Sequence, residues 1–210
     1  MIDETLKTSN DKVYAIGDVT ALNIKAAYIS EYFANIAVKN ALLGKKAKVN
    51  TNHIPMIVNV YPRIAAVGMM EERLDSEGID YDIYMVHNKA AVKPLLCNEE
   101  RGFIKIITKK ASYEIIGALI ISTKAGELIN EIALAIKFGI GLNKFEKSVF
   151  VTGTYNESFQ HIAQAAKYKK RTKGKQLALL KNPVEIDLND KLVFGYLAKG
   201  HTTFGPGYYK

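Results

Sequence analysis

The sequence contains few side chains arranged for catalysis, and its single cysteine and four histidines limit the reactions that it could support. Cys97 is the only cysteine, which excludes an internal disulfide, a CxxC redox pair and a cysteine-rich zinc site. The histidines, His53, His87, His161 and His201, show no spacing that would place two of them on one metal, so we interpret them as surface or turn residues. A dithiol relay within this chain is excluded.

Asp18 is a candidate binding residue because of the residues before it. Residues 13–17 read Val-Tyr-Ala-Ile-Gly, a short apolar run typical of a buried parallel strand. Such a strand would place the Asp18 carboxylate at its carboxyl end, where α/β sheets usually bind ligands. The alternative is an acid that caps the following helix or merely ends a strand.

Residues 139–144, Gly-Ile-Gly-Leu-Asn-Lys, are the nearest approach to a dinucleotide-binding fingerprint. They lack the third glycine and follow a predicted helix rather than a strand. We interpret them as the C-terminal end of that helix.

Apolar periodicity predicts the elements that would position these residues. A helix is predicted over 24–43, ended by Gly44. The remaining predicted elements are strands at 56–60, 65–69, 81–86, 102–107 and 115–121, and helices at 71–77, 125–138 and 157–167. The sequence therefore predicts an α+β fold, an antiparallel sheet with flanking helices.

Several short motifs follow one another along the chain. They are residues 13–19, 54–55, 61–68 (Tyr-Pro-Arg-Ile-Ala-Ala-Val-Gly), 102–107, 116–118 and 127–136. In order and spacing they resemble the C-terminal half of the dihydrolipoamide dehydrogenase family over about residues 2–165. The resemblance implies the interface domain of a flavoprotein disulfide reductase at 48–167, preceded at 1–47 by a remnant strand and helix of an FAD-binding domain. Residues 168–210 form an extension.

The resemblance also implies roles for three residues. In the family the counterpart of Asp18 hydrogen-bonds the ribityl chain of FAD, and a His-Pro-Thr-x-x-Glu motif supplies an acid/base histidine to the opposite subunit. Thr152 stands here at the position of that histidine, while Glu157 is retained. A hydroxyl cannot shuttle a proton near neutral pH as imidazole does. Glu157 equally fits an acid favoured at a helix N-terminus, and some relatives that reduce metals or oxygen also lack the histidine.

The net charge of +8 is concentrated near the C-terminus, where residues 166–210 hold ten Lys/Arg and three Asp/Glu. Within it, Lys169, Lys170, Arg171 and Lys173 could bind nucleic acid, an anionic membrane or an acidic protein, or form a plain solvated linker. Sequence-specific nucleic-acid recognition is unsupported, because no zinc finger or helix-turn-helix accompanies the run. Protein docking is the better functional interpretation.

Phe204, Tyr208 and Tyr209 flank a Gly-Pro-Gly turn near the C-terminus. This segment resembles the Pro-Gly-Pro-x-Tyr repeats of proteins bound to ciliary microtubules, with Phe204 in place of the first proline. An exposed aromatic cluster of this kind favours an anchor rather than a catalyst. The acidic surface of tubulin would suit the neighbouring basic stretch.

These patterns favour a catalytically inactive dihydrolipoamide dehydrogenase-like domain, reused as a structural subunit of a larger complex such as a cytoskeletal or ciliary assembly. We expect a homodimer or a foreign partner to cover the helix at 125–138, and no cofactor. The alternative is the C-terminal part of an FAD-dependent NAD(P)H disulfide oxidoreductase, joined by a separate N-terminal part, with Asp18 on FAD and Glu157 near the flavin. A truncated piece of a longer enzyme is a third hypothesis.

Location is predicted from the absence of signals in the sequence. No apolar run approaches the roughly 20 residues of a membrane span. The first residues form no targeting segment, which favours the cytoplasm, with the mitochondrion as the alternative.

Overall fold

The computed structural model describes residues 1–22, 25–171 and 184–186. Its helices are α1 (Ala27–Leu43), α2 (Glu71–Ser76), α3 (Val92–Leu96), α4 (Ala125–Lys137), α5 (Leu142–Lys147) and α6 (Glu157–Arg171). Its strands are β1 (Met56–Val58), β2 (Ile64–Gly68), β3 (Tyr81–His87), β4 (Phe103–Lys109), β5 (Ile115–Ile121) and β6 (Val184–Ile186).

The strands form one sheet in the order β1-β2-β5-β4-β3-β6. The first five pair antiparallel, and β3 and β4 pair along their whole length, from Tyr81 opposite Lys109 to His87 opposite Phe103. β6 adds three residues parallel to the edge strand β3. The predicted α+β fold with an antiparallel sheet and flanking helices is confirmed.

The main core lies between one face of the sheet and the helices α4 and α6. Alternate strand residues such as Tyr84 and Ile106 point to this face because successive side chains in a strand face opposite sides. Ile132 of α4 and Phe159 of α6 are fully buried against them. Each such side chain stabilises the fold by about 1.5–3 kcal/mol relative to exposure.

The end of α4 confirms the interpretation of residues 139–144. Gly139 adopts a left-handed φ of +63°. The amide of Ile140 then donates to the carbonyl of Ala135 at 2.7 Å, which satisfies a carbonyl at the helix end. The glycine therefore ends a helix, and α5 begins three residues later.

The prediction of a strand at residues 13–17 is wrong. Only a single bridge, between Lys7 and Tyr14, forms there, and it leads into a short 3-10 turn at Gly17–Val19. Val13 and Ile16 are 45% and 38% exposed. The physical reason is that a strand forms only beside a partner strand, and among the described residues this run pairs only at Tyr14.

The N-terminal residues nevertheless have a core of their own around α1. Leu6, Ile29 and Phe33 are almost fully buried and pack with Ile54 just before β1. Asn40 of α1 ties the segment together, because its side-chain nitrogen donates to the carbonyls of Thr5 and Ala47 at 3.0 and 2.9 Å. The predicted helix forms, beginning at Ala27.

Two short helices, α3 and α5, were not predicted, and α6 runs four residues beyond its predicted end at 167. Lys169, Lys170 and Arg171 therefore lie in the last turn of α6. Lys173, Phe204, Tyr208 and Tyr209 lie outside the described residues.

Candidate functional site

The loop before α6 carries Thr152, which is exposed to solvent. Gly153 adopts a φ of +75°, and its amide donates to Oε2 of Glu157 at 2.9 Å. The hydroxyl of Thr154 donates to the carbonyl of Val151 at 2.8 Å and closes the turn. Glu157 is thus the first residue of α6 and also a brace for the loop that precedes it.

The second carboxylate oxygen of Glu157 faces an imidazole. Nε2 of His161 lies 4.0 Å from Oε1 of Glu157, one helical turn along α6. Burial lowers the pKa of His161, and the negative charge of Glu157 partly opposes this shift. The interpretation of His161 as a surface or turn residue is wrong, because its side chain is only 20% exposed and lies within a helix. The i, i+4 spacing from Glu157 was the signal that could have revealed the pair.

Tyr155 in the same loop belongs to a hydrogen-bonded cluster that the sequence did not predict. Its hydroxyl donates to Glu99, and the hydroxyl of Thr123 donates to the same oxygen at 2.6 Å. The hydrogen bond from Thr123, followed by that from Tyr155, holds the pKa of Glu99 below its usual range. Burial and the Glu99 carboxylate raise the pKa of Tyr155.

Asn156 joins the loop to α4 from the other side. Its side-chain nitrogen donates to Glu131, whose pKa is raised by burial although this hydrogen bond works in the opposite direction. Tyr155 and Asn156 therefore anchor the C-terminal side of the loop that carries Thr152. The arrangement fixes a loop rigidly but places only a hydroxyl at its exposed point.

Asp18 lies exposed on the turn at Gly17–Val19 and not at the end of a strand. It does not cap α1, because the residue at the N-cap is Ala26, which makes no side-chain cap hydrogen bond. A carboxylate suits the hydroxyls of a flavin ribityl chain. Asp18 lines neither the cleft beside Thr51 and Arg73 nor the cleft beside His53 and Lys137.

Apolar side chains are exposed near the C-terminal end of α4 and in the loop that leads to α6. Leu134 and Phe138, one helical turn apart, are 55% and 67% exposed. Val149 and Val151 project into solvent on either side of Phe150, which packs against the core. We refer to Leu134, Phe138, Val149 and Val151 as the α4 surface.

No group of three or more His, Cys, Asp or Glu residues among the described residues could hold a metal ion. Within the same residues, no helix is long and apolar enough to cross a membrane.

Comparison with protein families gives a match over residues 54–163 to the dimerisation domain of pyridine nucleotide-disulphide oxidoreductases. A mercuric reductase of Staphylococcus aureus is 32% identical over 148 residues, which cover 70% of this chain and 27% of that protein. Mitochondrial dihydrolipoyl dehydrogenase 2 of Arabidopsis thaliana is 30% identical over 165 residues, which cover 79% of this chain and 32% of that protein. The chain thus corresponds to about a quarter to a third of the length of these relatives.

Solved structures share the fold. The protein LpdA of Mycobacterium tuberculosis superposes with a TM-score of 0.73 at 24% identity, over 79% of this chain and 36% of that chain. The HOCl-induced flavoprotein disulfide reductase RclA of Escherichia coli gives a TM-score of 0.68 at 26% identity, over 78% of this chain and 38% of that chain.

Proposed function

The chain belongs to the pyridine nucleotide-disulphide oxidoreductase family through its dimerisation domain, and from this premise we propose that it acts as a self-associating structural module without thiol chemistry of its own. The observation that carries the proposal is the α4 surface. A dimerisation domain that presents Leu134 and Phe138 to solvent has an apolar surface to cover.

A second copy of the chain is the occupant that best fits this surface. In a two-fold dimer the same patch meets itself, so a single apolar surface is sufficient on each partner. Removing apolar area from water contributes about 25 cal/mol per Å². Four exposed apolar side chains that lie on one helix and one anchored loop would be buried together.

Thr152 supports the proposal that the chain has no thiol chemistry of its own. The loop geometry is well defined by Gly153, Tyr155 and Asn156, yet its exposed member is a hydroxyl. Glu157 has one oxygen on the Gly153 amide and the other facing His161, which leaves it a bracing role. A general acid/base with a pKa near neutral pH does not stand at Thr152.

Sedimentation velocity of the full chain tests self-association. The unchanged chain is expected to sediment as a dimer, whereas Leu134→Glu and Phe138→Glu should shift it toward the monomer. Leu42→Glu is the matched control, because Leu42 is an exposed leucine on a helix outside the α4 surface, at 77% against 55% for Leu134. A monomer at every concentration, or equal loss in the control, would contradict the proposal.

We further propose that this module joins a larger protein assembly. The positive charge of residues 166–210 supports an acidic partner, and the aromatic end at Phe204, Tyr208 and Tyr209 supports an anchor in a microtubule-bound complex. Co-sedimentation with microtubules tests this. If tubulin is the partner, the unchanged chain should pellet with microtubules. Reversing the charges of Lys169, Lys170, Arg171 and Lys173 should abolish this binding. An unchanged chain that stays in the supernatant would contradict the proposal.

A second function is favoured by a different observation. Residues 13–17 have the sequence of a buried strand but leave Val13 and Ile16 exposed, and α1 exposes Leu42 and Leu43. Such surfaces fit a chain that completes a flavoenzyme by docking onto a separate FAD-binding part, with Asp18 near the ribityl chain. A flavin absorbance band in the protein purified from its native source would support this function and contradict the cofactor-free module.

A further inference from the structure

A cleft of about 210 Å³ separates residues 50–53 from the C-terminal end of α4. The start of β5 and the preceding Glu114 complete its walls. At about 30 Å³ per water molecule, this space holds roughly seven waters or one small organic molecule. None of the residues of the loop before α6 lines the cleft.

Polar groups converge on this cleft from both walls. Asn50, Asn52 and His53 lie on one side, and Lys137 and Glu114 lie on the other. Burial, followed by the positive charge of Lys137, lowers the pKa of His53. A lowered pKa favours the neutral imidazole, which offers one N–H donor in addition to the amide donors of the asparagines.

The wall formed by residues 50–53 is held in place before any ligand arrives. The ring of Tyr32 meets His53 edge-on at 5.7 Å, and its hydroxyl donates to the carbonyl of Asn50 at 3.4 Å. The amide of Asn52 donates to Oδ1 of Asn50 at 3.0 Å, and Arg73 donates to Oδ1 of Asn52 at 3.5 Å. Both Oδ1 atoms already accept one hydrogen bond, and the side-chain N–H groups are the donors that the asparagines can offer to a ligand. An ordered wall also reduces the entropic cost of binding.

The charges in the cleft favour an anion with a single charge. Lys137 takes part in none of the ion pairs found within the described residues, and its Nζ lies 5.8 Å from the ring centroid of Phe138. The carboxylate of Glu114 is paired with Lys109 at 3.5 Å. One ammonium group therefore remains, and a doubly charged phosphate would bring an unmatched charge close to Glu114.

We propose that this cleft binds a small molecule through a carboxylate group, which accepts hydrogen bonds from Lys137, the His53 imidazole and the asparagine amides. The ligand class is a small monocarboxylate. Planar carboxylate oxygens match two separate donors, and a charge-assisted hydrogen bond from an ammonium group is stronger than one between neutral groups.

Acetate added to the full chain tests the proposal, with chloride at equal ionic strength as the reference. A bound carboxylate favours the imidazolium form of His53, so acetate should raise the pKa of this residue in an NMR titration, and the effect should saturate. His53→Gln assigns the signal. Phosphate should have a smaller effect. The absence of a saturable response to acetate, or a larger response to phosphate, would overturn the proposal.

Lys137→Ala and its matched control, Lys147→Ala, locate the site. Lys137 is the last residue of α4 and Lys147 is the last residue of α5, so both variants lose one positive charge at a helix end. Lys137→Ala should weaken acetate binding by at least about tenfold, as expected for a lost hydrogen bond to a charged group. Lys147→Ala should leave binding unchanged. Equal losses in both would show a general charge effect and refute the site.

Lys137→Gln is a second variant that retains most of the apolar stem. Its folding is checked by far-UV circular dichroism. If it folds and still binds acetate as the unchanged chain does, Lys137 is not the anchor and the proposal fails.

Discussion

Tyr155 donates its phenolic hydrogen to the carboxylate of Glu99, which lies 56 residues earlier in the chain. The bond joins the loop before α6 to the segment that follows α3. Thr123, just after β5, donates to the same carboxylate oxygen. Three loops that are distant in sequence therefore meet at the carboxylate of Glu99, and one of them is the loop that carries Thr152.

Tyr155→Phe is expected to lower the free energy of unfolding by about 1–2 kcal/mol, because it removes one hydrogen bond to a charged acceptor. Urea denaturation measures the change. Tyr61→Phe, at an exposed tyrosine, is the control and should change stability little. Equal stability of Tyr155→Phe and the unchanged chain would contradict the contact.

The contribution of Glu99 to the stability of the chain should be lost in acid. Its pKa in the folded chain lies below its value in the unfolded chain, so its contribution is full above the unfolded value of about 4.3 and declines as the pH falls below it. Glu99→Gln should flatten the dependence of the denaturation midpoint on pH in this range. An unchanged pH profile would contradict a stabilising role for the ionised carboxylate of Glu99.

His161 should make the stability of the chain depend on pH in a higher range than Glu99 does. Its pKa is lowered in the folded chain, so the unfolded chain binds the proton more readily and stability declines as the pH falls through about 6.5. Glu157→Gln removes the one charge that opposes this shift and should lower the pKa of His161 further, as measured by NMR. A rise in that pKa would contradict the assigned pair.

Gly68 and Gly139 both adopt a positive φ but differ in the space around them. A Cβ at Gly68 would lie 2.2 Å from the carbonyl oxygen of Ile116, whereas nothing lies within 4 Å of one at Gly139. Gly139→Ala should cost about 1–2 kcal/mol through backbone strain alone. Gly68→Ala should cost considerably more, because two strands must separate. Thermal unfolding of the two variants measures both losses of stability. Similar losses would contradict the pairing register between β2 and β5.

The sequence by itself determined the fold class and most of the elements. Periodicity predicted β5 at its observed bounds and α4 to within one residue, because an amphipathic helix and an alternating strand carry their own pattern. The separated motifs identified the family, and the glycine at 139 was correctly read as a helix end. These features depend on residues close together in the chain.

Tertiary structure decided the rest, for reasons that lie in contacts between distant residues. The run at 13–17 has the composition of a strand but forms none, since a strand exists only with partners. Glu99 meets Tyr155, and Lys137 faces His53, only because packing brings separate segments together. Local pattern fixes which element forms, whereas burial, pKa and the groups that share a site depend on what that element packs against.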